Sequence, residues 1–308
     1  MEFLDEYVFL CRTLGALVDW VQGAGGNISI KNDSSIIIKQ SGALLAATTT
    51  TNGWVVCDLA KIRTAFESIN ENLEDAVIQG TKPSIETFLH LLPTRIVVHL
   101  HPMNLMHLLC KNSDLEQVPY IKPGLNLAKA LFSVYTSSKR SYFLQNHGIV
   151  VTGNSIDEIF DELKILQSMI PTSHHQSDLS LIQRLAPRLQ THLLRPVFSI
   201  PPTGFCETFI PFTPDIVVFL QRAPLFLEIG VDPCALLEDY VKIHYQLPSV
   251  VWTPSMVYTI GNSIAKCVAI EEILLMYQQI PRDAGFLTES HVDELITWNK
   301  EKDRKSAI

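Results

Sequence analysis

What this chain lacks narrows it first. Lysine and arginine number 24 against 32 aspartates and glutamates, a formal charge of -8. There is no broad basic field, so sequence-independent attraction to nucleic acid or to an anionic membrane surface has no electrostatic basis. An anionic ligand has to be held by local groups. No apolar run approaches the ~18 uninterrupted residues of a spanning helix. The opening MEFLDEYVFLCRTLG sets acidic residues where a secretory leader carries basic ones. The expectation is a cytoplasmic protein with neither signal peptide nor membrane span. The six cysteines, Cys11, Cys57, Cys110, Cys206, Cys234 and Cys267, are scattered without CxxC spacing. They are expected as thiols in a reducing compartment, because no framework spacing argues for disulfides. Nor is the chain globally disordered, since 47% of its 308 residues are apolar and only 18% charged. That composition suffices to bury the core of one large domain or two modest ones. No internal repeat shows in the residue pattern.

What is present alternates between helical and extended segments. Residues 3–20 have helical apolar spacing, GAGG breaks it, and NISIK and SSIIIKQSG read as a hairpin about NDSS. GWVVCDL reads as a strand and AKIRTAFESI as a helix opened by Asp58. In SIETFLHLL, Ser84 is expected to cap a helix with Glu86 in its first turn. RIVVHLH is a strand by composition, MNLMHLLCK and GLNLAKALFSVY are helices, SYFLQNHGIVVTG is two strands around QNHG, and SIDEIFDELKILQSMI is a helix capped by Ser155. This alternation predicts a layered α/β domain over 1–170, and the early hairpin argues against an all-parallel sheet. The polar stretch PTSHHQSD opens an expected linker, 171–195, in which His174 and His175 are read as solvated. A smaller segment, 196–308, follows. DIVVFL, SVVWTP and SMVYTIG are expected there as strands, SIAKCVAIEEILLMYQQI as a long helix and NKEKDRKSAI as a fraying tail.

The chemistry begins at RIVVHLHPM. On a strand, side chains at i and i+2 share a face, so His99 and His101 project together and can chelate a divalent ion, zinc above all. Taken alone, HxH is better explained by two histidines satisfied by ordinary hydrogen bonds. A third imidazole, His147, stands before a glycine that leaves room beside it. Glu86 is the natural fourth member, as ligand or as proton carrier. The glycines of GAGGNIS could bring backbone close to an anion, with Asn27 and Ser29 as donors, yet both the GxGxxG and the P-loop spacings are missing. A plain turn explains that stretch equally. KQSG offers Lys39, Ser41 and Gly42, and Ser84 can add an anion contact. Structural roles are expected for His90 (a supporting hydrogen bond), His107, the acidic face DEIFDEL and Asp215 in a turn.

Together, GAGGNIS, KQSG, KPSIETFLH, VVHLHP and LQNHGIVVTG resemble, in order and spacing, the class II aldolase and adducin family, whose enzymes include L-fuculose-phosphate aldolase and ribulose-phosphate 4-epimerase. KPSIETFLHLLPTRIVVHLHP and YIKPGLNLAKAL are further similar to the aldolase half of rhamnulose-phosphate aldolases fused to a short-chain dehydrogenase. No nucleotide fingerprint follows residue 261, so the dehydrogenase itself is not expected here. The resemblance implies a three-layer αβα domain around a mainly antiparallel central sheet, with a smaller C-terminal α+β extension. It implies His99, His101 and His147 as zinc ligands, with Mn2+ or Co2+ as alternatives, and Glu86 as the acid/base. Asn27, Lys39, Ser41, Gly42 and Ser84 would line the phosphate pocket. The implied reaction is retro-aldol cleavage of a ketose phosphate or related anionic sugar. Epimerisation and decarboxylation use the same site, and a non-catalytic adducin-like scaffold is the alternative from another class. Where the aldolases commonly have a second serine before the glutamate, this chain has Ile85. A homo-oligomer, as a tetramer, is implied too, with Tyr120, Tyr142 and Tyr258 as unranked candidates for a tyrosine acting across an interface.

Overall fold

The computed structural model describes residues 2–111, 117–171, 176–202, 209, 211, 213–279 and 287–297. Two compact units result, 1–174 and 175–308. In the first, α1 (Glu2–Gly15) leads to the hairpin β1 (Asn27–Lys31) and β2 (Ser35–Lys39), then β3 (Trp54–Asp58), α2 (Leu59–Glu67) and β4 (Val77–Gln79). Then come β5 (Ile96–Leu100), α3 (Met103–Lys111), β6 (Gln117–Val118), α4 (Leu125–Val134), β7 (Ser141–Leu144), β8 (Gly148–Gly153) and α5 (Ile156–Ser168). The strands form one sheet in the order β4-β3-β2-β1-β5-β8-β7-β6, antiparallel except for the β6–β7 pair. The expected α/β layering around a mainly antiparallel sheet is what the chain adopts.

The alternation along β1 and β5 fixes the site. Ile28 and Ile30 point to one face of β1, and Asn27, Ser29 and Lys31 to the other. Register places Asn27 opposite His99 and Ser29 opposite Val97, so the polar residues of β1 lie on the face that presents His99. The core on that face includes Ile36, Val55, Phe88, Val97, Ala128, Leu131 and Val150. A buried polar row thus runs through an apolar layer, and each member needs a partner or a ligand.

Helix starts follow their caps. Asp58 accepts from Lys61 N at 3.0 Å, and Ser155 accepts from Glu158 N at 3.2 Å. Ser155→Ala should lower unfolding stability by ~1 kcal/mol in urea denaturation, the usual worth of a serine cap. An unchanged midpoint would contradict that role.

Two segments differ from expectation. SIETFLHLL forms no α-helix: its ordered part is a 3-10 helix, Thr87–Leu91, with Glu86 at its entrance. Its backbone bonds reach back three residues, Thr87 N to Ser84 O at 3.1 Å and Leu89 N to Glu86 O at 2.9 Å, and Thr87 Oγ1 also donates to the Ser84 carbonyl at 2.6 Å. DIVVFL is not a strand but part of helix α7 (Pro214–Leu220) in the second unit. Thr213 caps it, Pro214 takes its first position and Asp215 lies in its first turn, start signals that outweigh the three β-branched residues Ile216, Val217 and Val218.

The second unit holds α6 (Leu179–Leu185), β9 (Leu193–Val197), α7, β10 (Leu225–Phe226), α8 (Pro233–His244), β11 (Val250–Trp252), β12 (Val257–Gly261), α9 (Ile264–Tyr277) and α10 (Glu289–Thr297). SVVWTP, SMVYTIG and the long helix lie where expected. Of the stretch read as linker, 171–195, residues 179–185 are helical and 193–195 begin β9. His174, His175, Cys206 and the charged tail lie outside the described residues. Cys11, Cys57, Cys234 and Cys267 are buried thiols outside any disulfide. Among the described residues no helix is long and apolar enough to cross a membrane.

Candidate metal centre

His99 is the fourth residue of β5, and His101 follows one residue past the strand end. His101 N donates to the Trp20 carbonyl at 3.0 Å, which keeps the chain extended long enough for the second imidazole to share the face of the first. His147 comes from the β7–β8 turn, where Asn146 has φ +53° and His147 N donates to Leu144 O at 3.1 Å. The three offer ligand nitrogens that all lie within 4.8 Å of one another.

Their tautomers are prepared for an ion. His99 Nδ1 lies 2.8 Å from the Ile149 carbonyl, which can only accept, so the proton sits on Nδ1 and the Nε2 lone pair faces the cluster. His101 Nε2 lies 3.0 Å from His99 Nε2. Either His101 Nε2 carries a proton and donates to the His99 lone pair, or a cation between the two nitrogens accepts from both. Burial first, and then the neighbouring His99 and His147, push His101 down to about 4, so it is neutral near pH 7 and free to ligate. Its neighbours have been cleared of side-chain atoms. A Cβ on Gly148 would stand 2.4 Å from Leu100 O, 2.8 Å from His101 Cδ2 and 2.9 Å from His99 Cε1. One on Gly25 would meet His101 Nδ1 at 2.9 Å. The donor set and this clearance fit a divalent metal held by three histidines, with a coordination position left for another ligand.

Glu86 completes the cluster. Its Oε1 lies 3.0 Å from His147 Nε2 and 3.4 Å from His99 Nε2. Burial opposes its ionisation, but the two imidazoles outweigh burial and hold the carboxyl well below the usual range. The turn that carries it is bolted to β1. Lys31 Nζ donates to the His90 and Leu92 carbonyls at 2.6 and 2.5 Å, and His90 Nδ1 lies 2.8 Å from Ser29 Oγ. His90 thus bonds to Ser29 of β1, and the α-helical face it was expected to share with Glu86 does not form. His107 is exposed.

The expected anion residues fall into two groups. Lys39, Ser41 and Ser84 are joined through their backbones: Ser84 N donates to Lys39 O at 3.1 Å and Ser41 N to Lys82 O at 2.9 Å. Gly42 adopts φ +78° in open space beside them. Lys39 Nζ donates to the Ala24 carbonyl of the GAGG segment; burial pushes its pKa down, and the Glu86 carboxylate opposes that. Asn27 stands apart from these, fully buried opposite His99, with both side-chain polar atoms unpartnered. Ile85 is 61% exposed beside Glu86. Of the three tyrosines, Tyr142 donates to the Thr136 carbonyl and Tyr258 accepts from Asp178 N, while Tyr120 is 61% exposed. Sequence reasoning missed the clearance role of Gly25. The glycine run signals close approach, and at Gly25 the group approached is the His101 imidazole.

Comparison with known proteins places this geometry. The model of the class II aldolase and adducin N-terminal domain matches residues 6–172. A 3-oxo-tetronate 4-phosphate decarboxylase of Haemophilus influenzae is 23% identical over 47% of this chain and 74% of its own length. An L-fuculose phosphate aldolase of Methanococcus maripaludis is 24% identical over 57% of this chain and 98% of its own. Among solved structures, the N-terminal class II aldolase domain of a conserved protein from Thermoplasma acidophilum matches with TM-score 0.48 and 24% identity, over 54% of this chain and 92% of that one.

Proposed function

Because the chain belongs, over residues 6–172, to the class II aldolase and adducin family, we propose that it is a metal-dependent lyase that cleaves a ketose phosphate or related anionic sugar by retro-aldol reaction. The observation that carries this reading is the convergence of His99, His101 and His147 with the Glu86 carboxylate beside them. The three imidazoles would hold zinc, with Mn2+ or Co2+ as alternatives. When bound, such an ion polarises a substrate carbonyl and offsets the charge of the enediolate left by carbon–carbon cleavage.

The chain's own residues do the rest. Glu86 takes up or returns the proton at the carbon next to the carbonyl, from a position fixed by Lys31, His90 and Ser29. Asn27 offers the substrate a buried amide with no internal partner. Lys39, Ser41, Gly42 and Ser84 hold the anionic end. Ile85 removes a hydroxyl that the aldolases commonly place there, which weakens the hold on phosphate. Of the three candidate tyrosines, Tyr120 is the exposed one and can act across an interface in a homo-oligomer, such as a tetramer, of a cytoplasmic enzyme. Partial likeness to the rhamnulose-phosphate aldolase fusions rests on the sequence segments quoted above.

A decarboxylase reading draws on one specific relative, the 3-oxo-tetronate 4-phosphate enzyme. Loss of carbon dioxide from a 3-oxo acid leaves the same type of enolate as aldol cleavage, and epimerisation reverses that cleavage on the other face. A scaffold without catalysis would have no use for a retained triad and glutamate.

The test is a panel of ketose phosphates, unphosphorylated ketoses and 3-oxo acid phosphates, assayed for cleavage and for carbon dioxide release with and without chelator. Metal-dependent turnover of a phosphorylated member is expected. Turnover undiminished by exhaustive chelation would overturn the reading. Lys39→Met should raise KM for the phosphorylated substrate by ~10-fold or more, the worth of one charge-assisted hydrogen bond. An unchanged KM in steady-state kinetics would remove Lys39 from the pocket.

A further inference from the structure

The strands of the second unit run β10-β11-β12-β9, and half of the first unit's sheet runs β6-β7-β8-β5. In each set the first pair is parallel and the other two antiparallel. The chain visits them in the same order with helices at the same points: β5, α3, β6, α4, β7, β8, α5 against β9, α7, β10, α8, β11, β12, α9. Even the preceding elements agree, since the 3-10 helix Thr87–Leu91 packs on α4 and α6 packs on α8. Parallel crossovers are right-handed in ~98% of cases, which puts α4 and α8 on the same side of their sheets.

A trace survives in the residues. Both last strands end in Gly-Asn-Ser-Ile, at 153–156 and 261–264. Each serine caps the next helix by accepting from the N–H three residues on, Glu158 N at 3.2 Å and Lys266 N at 3.0 Å. Each glycine pairs with the first residue of the neighbouring strand, Gly153 with Ile96 and Gly261 with Leu193. Counting from these anchors, His99 corresponds to Pro196 and His101 to Phe198. Gly148 corresponds to Met256, and the three-residue turn Gln145–His147 shrinks to Pro254–Ser255.

We infer that residues 178–277 are a second, incomplete copy of the half-fold that carries the histidines, with every metal position overwritten. Proline and phenylalanine stand where His99 and His101 do, and the place of His147 falls in the shortened turn, at Ser255, so no imidazole remains at any of the three positions. A side chain at the position of Gly148 fills the space the imidazoles need, and Met256 is 2% exposed there. Pro196 also lacks the N–H that an edge strand would offer to a further strand, so β9 is blunted where β5 pairs with β1. Among the described residues of this unit nothing corresponds to β1–β4, which supply Asn27, Lys39 and Ser41. What the two copies share is fold, in the glycine and the serine cap. What separates them is the metal chemistry.

Two measurements test this. In an experimental structure of the full chain, superposing 193–197, 250–252 and 257–261 on their counterparts should carry α7, α8 and α9 onto α3, α4 and α5. Finding α8 on the opposite face from α4 would overturn the copy. Zinc counted by mass spectrometry after loading the full-length protein should give one equivalent per chain, falling to none in the His101→Ala, His147→Ala double variant. This arm rests on the metal reading above. Two equivalents, or one retained in the double variant, would overturn the overwritten copy. None in the wild type would sink the metal reading and leave the superposition to decide the repeat.

Discussion

Glu86→Gln should lower turnover by ~10²–10⁴-fold, the usual contribution of a positioned general acid or base, with zinc content unchanged. The amide keeps the volume and one oxygen of the side chain, so the contact with His147 at 3.0 Å has an isosteric replacement. What disappears is the second oxygen's basicity. The same variant should lose exchange of the carbon-bound product proton with deuterated solvent, a readout that separates proton transfer from substrate binding. Wild-type turnover and exchange in the Gln variant would assign the proton to another group.

Gly148→Ala is expected to weaken zinc binding by ~100-fold or more, the upper range for disturbing a group next to a ligand. A methyl there approaches Leu100 O to 2.4 Å, and that oxygen belongs to the backbone of β5. The strand cannot retreat without carrying His99 with it. His101 Cδ2 and His99 Cε1 close the other two directions at 2.8 and 2.9 Å. Zinc titration of the purified variant, with circular dichroism to verify folding, provides the check. Wild-type affinity in a folded Gly148→Ala protein would mean that the imidazoles have slack the structure does not show.

The histidine pair was legible because strand periodicity is local. Two residues on a β-branched run share a face whatever surrounds them, whereas His147, which lies in the β7–β8 turn, was marked only by the glycine after it. Glu86 was legible as a member but not in its setting. The expected helix is a 3-10 helix whose last carbonyls, His90 and Leu92, are taken by Lys31 of a distant strand, a partner that no local residue announces. DIVVFL misled because β-branched composition was weighed over the Thr-Pro-Asp start before it. Gly25 illustrates the general limit. A glycine advertises close approach, but which atom approaches is set by β5, more than seventy residues on. The repeat was hidden for the same reason, since strand order and crossover position are kept by packing and leave only Gly-Asn-Ser-Ile in the residues.

The most direct test of the metal centre is anomalous scattering at the zinc edge from crystals of the zinc-loaded protein. The account predicts one peak in the first unit at ~2.0–2.1 Å from a ring nitrogen of His99, His101 and His147. A peak at another set of side chains, or none at these three under saturating zinc, would contradict it.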